Sequence, residues 1–308
     1  MVCIAREPGG SHGAGMLKPT IALSLSLLAC TDSQPDLLAL PGQAYYPESI
    51  HAKDDTLYIG SLTTGQVVAF DDGAAEPRTL LAAGAHGVTG VTGVHVKDDT
   101  LWLCSVDTTF QRATEVRSFS LTGEPRATYP LAQSYFCNDI VFDSAGNLYA
   151  TDSFSGTIQR LAKGGTEFET FVQDARFVPD SQGAFGLDGV VYAGGALYIN
   201  KLDTGELFKV GLDKSITQIT VTPALAGPDG MRALDDHTLL VIEGGANRIS
   251  KLSLAQEAAT ATALASDLDM PTGVAIARDS AWVTEGQLGR LFTQQAPNLP
   301  FAVRRVAL

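Results

Sequence analysis

The chain has 308 residues, 45% hydrophobic and 18% charged, with 31 Gly and 14 Pro. That is enough apolar material for a packed core, and it excludes disordered and fibrous classes. The formal net charge is −13 with no basic block, which disfavours nucleic acid as a partner, because a phosphate-backbone binder needs a positive face.

The first feature in chain order is a short export-like segment. Met16-Leu17-Lys18 supplies a start and a positive charge, Ile21 to Ala29 an apolar run, and Leu27-Leu28-Ala29-Cys30 the end. No apolar run reaches the roughly 18 residues of a spanning helix. The Leu-Leu-Ala-Cys ending resembles a bacterial lipobox. That resemblance implies removal of residues 1–29, acylation of Cys30, and export to the outer membrane or periplasm, with membrane contact only through the lipid. Residues 1–15 read as an extension upstream of a start at Met16, and residues 30–46 as a tether that includes a possible ring-closing stretch, Leu37-Leu38-Ala39-Leu40. Two further cysteines, Cys104 and Cys137, are free to pair in an oxidising compartment if their geometry allows it.

Residues 47–308 are organised as six repeats. They begin at Pro47-Glu48-Ser49-Ile50, Val91-Thr92-Gly93-Val94, Cys137-Asn138-Asp139-Ile140, Leu187-Asp188-Gly189-Val190, Pro228-Asp229-Gly230-Met231 and Pro271-Thr272-Gly273-Val274. Each opening is followed by turn residues and a second apolar strand, such as Leu57-Tyr58-Ile59 or Leu239-Leu240-Val241, and then by a third. A repeat of 41 to 50 residues made of short strands cannot bury its own faces, and six arranged radially bury each against its neighbours. The expected fold is all-β, a six-bladed β-propeller with four-stranded antiparallel blades. Phe301 to Leu308 reads as the outer strand of the last blade. A monomer is expected.

In such a fold the innermost strands start beside the central tunnel. The position two before the buried Ile, Val or Met is Glu48, Thr92, Asn138, Asp188, Asp229 and Thr272, all carrying side-chain oxygen. Carboxylates converging on one axis repel unless a proton or cation sits among them. Hard oxygen donors without His or Cys suit Ca²⁺, with Mg²⁺, Mn²⁺ or Zn²⁺ as alternatives. The end of the second strand returns to the same face, giving a further column of Ser61, Ser105, Asp152, Lys201, Glu243 and Glu285. Lys201, Glu243 and Glu285 are its candidate substrate contacts, with Lys201 also placed to neutralise Asp188. The stretch with Phe171, Phe177, Pro179 and Phe185 reads as a lid or a packed connection.

The repeat set, most specifically Pro228-Asp229-Gly230-Met231 with the Glu243-Gly244-Gly245-Ala246-Asn247-Arg248 turn, resembles the senescence-marker-protein/gluconolactonase/luciferin-regenerating-enzyme family of six-bladed propellers. The resemblance implies a divalent cation held by Glu48, Asn138, Asp188 and Asp229. Asp188 stands where the family has Asn, which adds a charge and lowers the cation's Lewis acidity. It also implies hydrolysis of a small-molecule lactone or related ester, with Asp229 as acid/base or nucleophile. Two other functions stay open: a non-catalytic, metal-stabilised propeller binding a glycan or protein, and a strictosidine-synthase-like propeller, which needs a buried Glu late in the chain, Glu243 or Glu285. No nucleophile elbow, zinc-protease motif or phosphate loop occurs.

Overall fold

The computed structural model describes residues 35–131 and 136–308. The signal-like segment, Met16 and Cys30 lie outside the described residues. The regular secondary structure is nearly all strand. β1 (Leu37–Ala39) precedes a first repeat of β2 (Pro47–Lys53), β3 (Thr56–Ser61), β4 (Val67–Phe70) and β5 (Arg78–Leu81). The second repeat holds β6 (Val91–Lys97), β7 (Thr100–Ser105), β8 (Glu115–Ser120) and β9 (Pro125–Pro130). The third holds β10 (Cys137–Phe142), β11 (Leu148–Asp152), β12 (Thr157–Leu161) and β13 (Phe168–Gln173). β14 (Leu187–Ala193), β15 (Ala196–Lys201), β16 (Leu207–Gly211) and β17 (Ile216–Thr222) follow. β18 (Pro228–Asp235), β19 (Thr238–Glu243), β20 (Arg248–Ala255) and β21 (Ala258–Ala265) form the fifth. The last holds β22 (Pro271–Ala277), β23 (Ser280–Glu285), a helical turn α1 (Leu288–Phe292) and β24 (Ala302–Ala307). No helix among the described residues is long and apolar enough to cross a membrane.

Within each repeat the strands pair antiparallel in sequence order. β24 stands third in its sheet, and β1 takes the outer edge through Leu37↔Arg304, Leu38↔Val303 and Ala39↔Ala302, so the expectation that Phe301 to Leu308 is outermost is corrected. A further departure is that the fourth and fifth arrays merge. β17 and β21 run parallel over Thr220–Thr222 and Ala258–Thr260, giving one eight-stranded sheet beside four four-stranded ones. Both edges are long and carry small Thr and Ala side chains, and such open strand edges can pair when they approach.

The core lies between arrays, not within one. One apolar cluster joins Tyr58, Val67 and Leu80 to Val94, Leu101 and Phe119, and a second joins Cys104 and Val116 to Ile140 and Leu148. Others join the third array to the fourth, the fourth to the fifth and the fifth to the last. Leu38, Ile50 and Phe70 pack on Trp282, Phe301 and Val303, which carries the chain's end back to its beginning. The starting strands β2, β6, β10, β14, β18 and β22 likewise neighbour one another in turn, with β22 against β2. Cys104 and Cys137 form a disulfide, Cα–Cα 5.6 Å, between the second and third arrays.

Candidate active site

Every starting strand breaks register at the same place. The ladder skips between Pro47 and Ser49, Val91 and Val94, Cys137 and Ile140, Leu187 and Val190, Pro228 and Met231, and Pro271 and Val274. Each interval is a β-bulge holding one residue more than its partner strand, and a bulge re-aims the unpaired side chain. The residues re-aimed are Glu48, Thr92, Asn138, Asp188, Asp229 and Thr272. The bulges pack closely on one another. A Cβ on Gly189 would stand 2.5 Å from the Asp229 carbonyl oxygen, and one on Gly273 3.0 Å from that of Glu48. The two repeats without Gly there bond across instead: Ser49 Oγ accepts Val94 N–H at 3.0 Å, and Asp139 Oδ2 accepts Val190 N–H at 3.4 Å.

Four of the six side chains gather. Asn138 Nδ2 donates to Asp188 Oδ2 at 3.0 Å and to Ser153 Oγ at 3.2 Å. The Asp188 and Asp229 carboxyls lie near enough for each to act on the other's charge. Asp188 Oδ1 is buried and has no partner. Glu48 completes the group, and all four border one pocket. The charges are uncompensated. Burial, then the Asp229, Asp188 and Asp139 charges, push Glu48 well above the ordinary carboxylate range, with Arg232 opposing. Burial and the Asp139 charge push Asp188 up to about 7, with Asp229 and the Asn138 hydrogen bond opposing. Desolvation and the Asp188 charge push Asp229 well up. Thr92 and Thr272 do not join: their hydroxyls donate to the carbonyls of Cys137 at 2.6 Å and Pro47 at 3.0 Å, tying neighbouring arrays.

The cluster divides two spaces. Above it lies a pocket of about 50 Å³ walled by Leu62, Phe136, Phe185, Leu202, Leu288 and Phe292. Below it a narrow space of about 10 Å³ is bordered by Ser49, Thr92, Asp139 and Arg232 as well as by Glu48, Asn138 and Asp229. Arg232 crosses this lower space, donating to Asp139 Oδ2 at 3.2 Å and to the Ile50 carbonyl at 2.9 Å. His51 and His95 stack nearby with centroids 4.1 Å apart. Burial and then the neighbouring His95 and Arg232 charges push His51 well down, and burial and Arg232 push His95 down to about 3, so both are neutral.

The strand-end column does something else. Lys201, buried at 2% exposure, places its ammonium against Asp180, with Asp203 at 3.6 Å and Glu206 at 3.8 Å, and no ion pair among the described residues joins it to Asp188. Glu243 is fully buried under Arg248 at 2.7 Å, Ser250 Oγ at 2.6 Å and Ala226 N–H at 3.0 Å. Glu285 holds Arg304 at 2.7 Å and Asp269 N–H at 3.3 Å. None of the three, expected as substrate contacts, borders the pocket. The reason is register. Lys201, Glu243 and Glu285 pair with Leu187, Pro228 and Pro271, each one residue before the re-aimed side chain. Facing partners share a sheet face, and the next residue along the strand does not.

The residues one place earlier on the second strands serve the bulges: Thr151 Oγ1 accepts Asp139 N–H at 3.1 Å, Asn200 Oδ1 accepts Gly189 N–H at 3.1 Å, and Thr284 Oγ1 accepts Gly273 N–H at 2.7 Å. Phe171 and Phe177 are core residues, and of the expected lid stretch only Phe185 reaches the pocket. Sequence reading passed over Arg232 and Phe136. The signal for Arg232 was available, since it aligns with His51, His95, Val141, Val191 and Ala275, one place after the buried residue of each repeat.

Among the described residues no set of three or more His, Cys, Asp or Glu stands ready as a metal cage. The donor chemistry nonetheless fits a hard divalent cation: three carboxyls and a carboxamide border one pocket, one buried oxygen is orphaned, and the negative charge is unrelieved. An oxygen-only set suits calcium or magnesium better than zinc.

No family model matches the chain, and no curated protein matches it. Solved structures do. The Malassezia sympodialis allergen Mala s 1 superposes with a TM-score of 0.69 at 11% identity, covering 89% of this chain and 96% of that one. Luciferin-regenerating enzyme gives 0.63 at 13% identity, over 88% and 95%. Virginiamycin B lyase from Staphylococcus aureus gives 0.60 at 13% identity, over 88% and 98%. The fold is therefore of the β-propeller type, built from four-stranded antiparallel arrays.

Proposed function

We propose that the chain is a six-bladed propeller hydrolase that opens a lactone or related ester with a divalent cation, calcium first, at Glu48, Asn138, Asp188 and Asp229. The observation that carries the reading is the convergence of these four side chains, with an orphaned Asp188 oxygen, on the floor of an apolar pocket. The count of six is supported by the cyclic packing of the starting strands. The luciferin-regenerating enzyme likeness supports it at the level of fold.

When bound, the cation supplies positive charge that polarises a carbonyl and steadies the oxyanion. The chain's own part is positioning and proton transfer. Asn138 fixes Asp188 through its Nδ2 hydrogen bond, beside Asp229. With a cation at these oxygens Asp229, partly open to the pocket, would be held as carboxylate; it would take a proton from the attacking water and return it to the leaving alkoxide, so that water and lactone become a hydroxy acid. The apolar walls exclude bulk water. The extra charge of Asp188 weakens carbonyl polarisation while strengthening cation binding. We also propose a monomer that is exported and anchored through Cys30, a reading supported by the Cys104–Cys137 disulfide.

The test is a calcium titration of chelator-stripped protein, wild type beside Asp229→Asn. At a hundred times Kd, a cation binding only the folded state stabilises by about 2.7 kcal/mol, or about 5 °C in Tm. Such a rise, much reduced in the variant, followed by turnover of a lactone panel that dies with chelation, is the expected result. A rise without turnover favours the non-catalytic propeller, and no rise in wild type removes the metal site. The strictosidine-synthase-like reading loses support, because Glu243 and Glu285 are both consumed by arginines.

A further inference from the structure

We infer that the pocket selects an apolar lactone, an alkyl- or aryl-substituted cyclic ester, over a polyhydroxylated sugar lactone; this rests on the hydrolase reading of the same site. Among the described residues, the only polar side chains bordering the pocket are the four of its floor, Glu48, Asn138, Asp188 and Asp229. Its walls are Leu62, Phe136, Phe185, Leu202, Leu288 and Phe292, none with a hydrogen-bonding side chain. Phe185 packs 4.9 Å from Phe136 and stacks on Phe292 at 6.3 Å. Phe292, 61% exposed on α1, leaves an aromatic face to water at the rim. Behind it the wall is set: Gln287 and Asn298 hold the ends of α1 and its following loop by hydrogen bonds of 2.8 and 2.7 Å.

The enclosed part of the pocket is small, about 50 Å³, and opens to solvent, so a ring would rest on the floor and a substituent would run out along the rim. A sugar lactone brings several hydroxyls, each needing a partner once it leaves water, and an apolar wall rejects it by leaving them unpaired. Lys201, the cation nearest in sequence to Leu202, is already engaged by Asp180, Asp203 and Glu206. A ring carbonyl facing the floor with an alkyl or aryl tail along Phe136, Phe185 and Phe292 satisfies both halves of the pocket.

Two probes separate this inference from the reading beneath it. 2-Hexylcyclopentanone has the ring and tail but no bond to cleave; its binding to the calcium-loaded protein is measured by isothermal calorimetry, with gluconolactam and hexyltrimethylammonium beside it. The ketone is expected to bind with Kd of about 10–100 μM, with no measurable heat from gluconolactam. Phe292→Ala and Phe185→Ala should each weaken it about tenfold, and exposed Phe292 can be removed without disturbing the core. γ-Decalactone should then exceed glucono-1,5-lactone in kcat/KM by about a hundredfold or more. Ketone binding with neither lactone cleaved sinks the hydrolase and leaves the apolar selectivity standing. Cleavage of gluconolactone without ketone binding keeps the hydrolase and overturns the selectivity. Preference for the ammonium probe overturns it as well, since an acidic floor under aromatic rings also attracts organic cations.

Discussion

Two polar columns run through this molecule, and they differ in what has been done with their charge. Along the strand ends, Lys201, Glu243 and Glu285 each sit within an ion pair. Burial pushes the Glu243 carboxyl up, but the Arg248 guanidinium, the Ser250 hydroxyl and the Ala226 N–H outweigh it and hold it below its ordinary value. At the bulges, Glu48, Asp188 and Asp229 have no cation of their own other than Arg232 on the far side, and all three are pushed up. A column of polar residues in register is thus no indication of a site by itself. Charge left uncompensated in a buried place is one, because folding tolerates it only where something else is to be bound.

The sharpest way to break the comparison is Glu243→Gln. Glu243 is buried but Arg248 is partly exposed and can turn to water, so unfolding in urea should show a loss of about 1–2 kcal/mol from the weakened hydrogen bonds, with kcat/KM unchanged at a temperature where the variant is folded. Lost turnover in folded protein would return Glu243 to the site. At the bulges the sign reverses. Asp229→Asn relieves repulsion, so the chelator-stripped variant should be more stable than wild type by about 1–2 kcal/mol while losing its response to calcium. Destabilisation there would mean that the charge is already compensated.

A pH series sharpens the contrast further. The folded pKa of Asp188, about 7, lies above its unfolded value near 4, so its contribution favours folding below about pH 4 and is lost as pH rises through 7. His51 and His95 are pushed down, so the unfolded chain takes up protons as pH falls through about 7.5 towards 3, lowering stability there. Above about pH 7.5 only the carboxylates act. Metal-free protein should lose stability as pH rises further, and calcium should flatten the curve. A flat metal-free curve would contradict the clustered charges. The smallest effect belongs to Lys201→Met, expected to change KM less than about twofold, since Asp180, Asp203 and Glu206 hold its ammonium away from the pocket.

Much of this was legible before any coordinates. Six openings of the type Leu187-Asp188-Gly189-Val190 marked where strands start, and they picked out the residues that converge. The extra residue of each bulge was not legible, because periodicity reads alternation and a one-residue insertion shifts every later side chain to the other face. That single offset explains why the strand-end column was placed on the site while the bulge partners Thr151, Asn200 and Thr284 were passed over.

The sequence by itself determined the all-β repeat and its period, and the column of six oxygen-bearing side chains Glu48, Thr92, Asn138, Asp188, Asp229 and Thr272, because these depend on local pattern repeated six times. Tertiary structure decided the rest. It brought Phe136, Phe185 and Phe292 together from three separate connections, paired Cys104 with Cys137, and set Arg232 beneath the acids. Contacts of that kind join residues tens to hundreds of positions apart, and only the closing of one array on the next chooses among them.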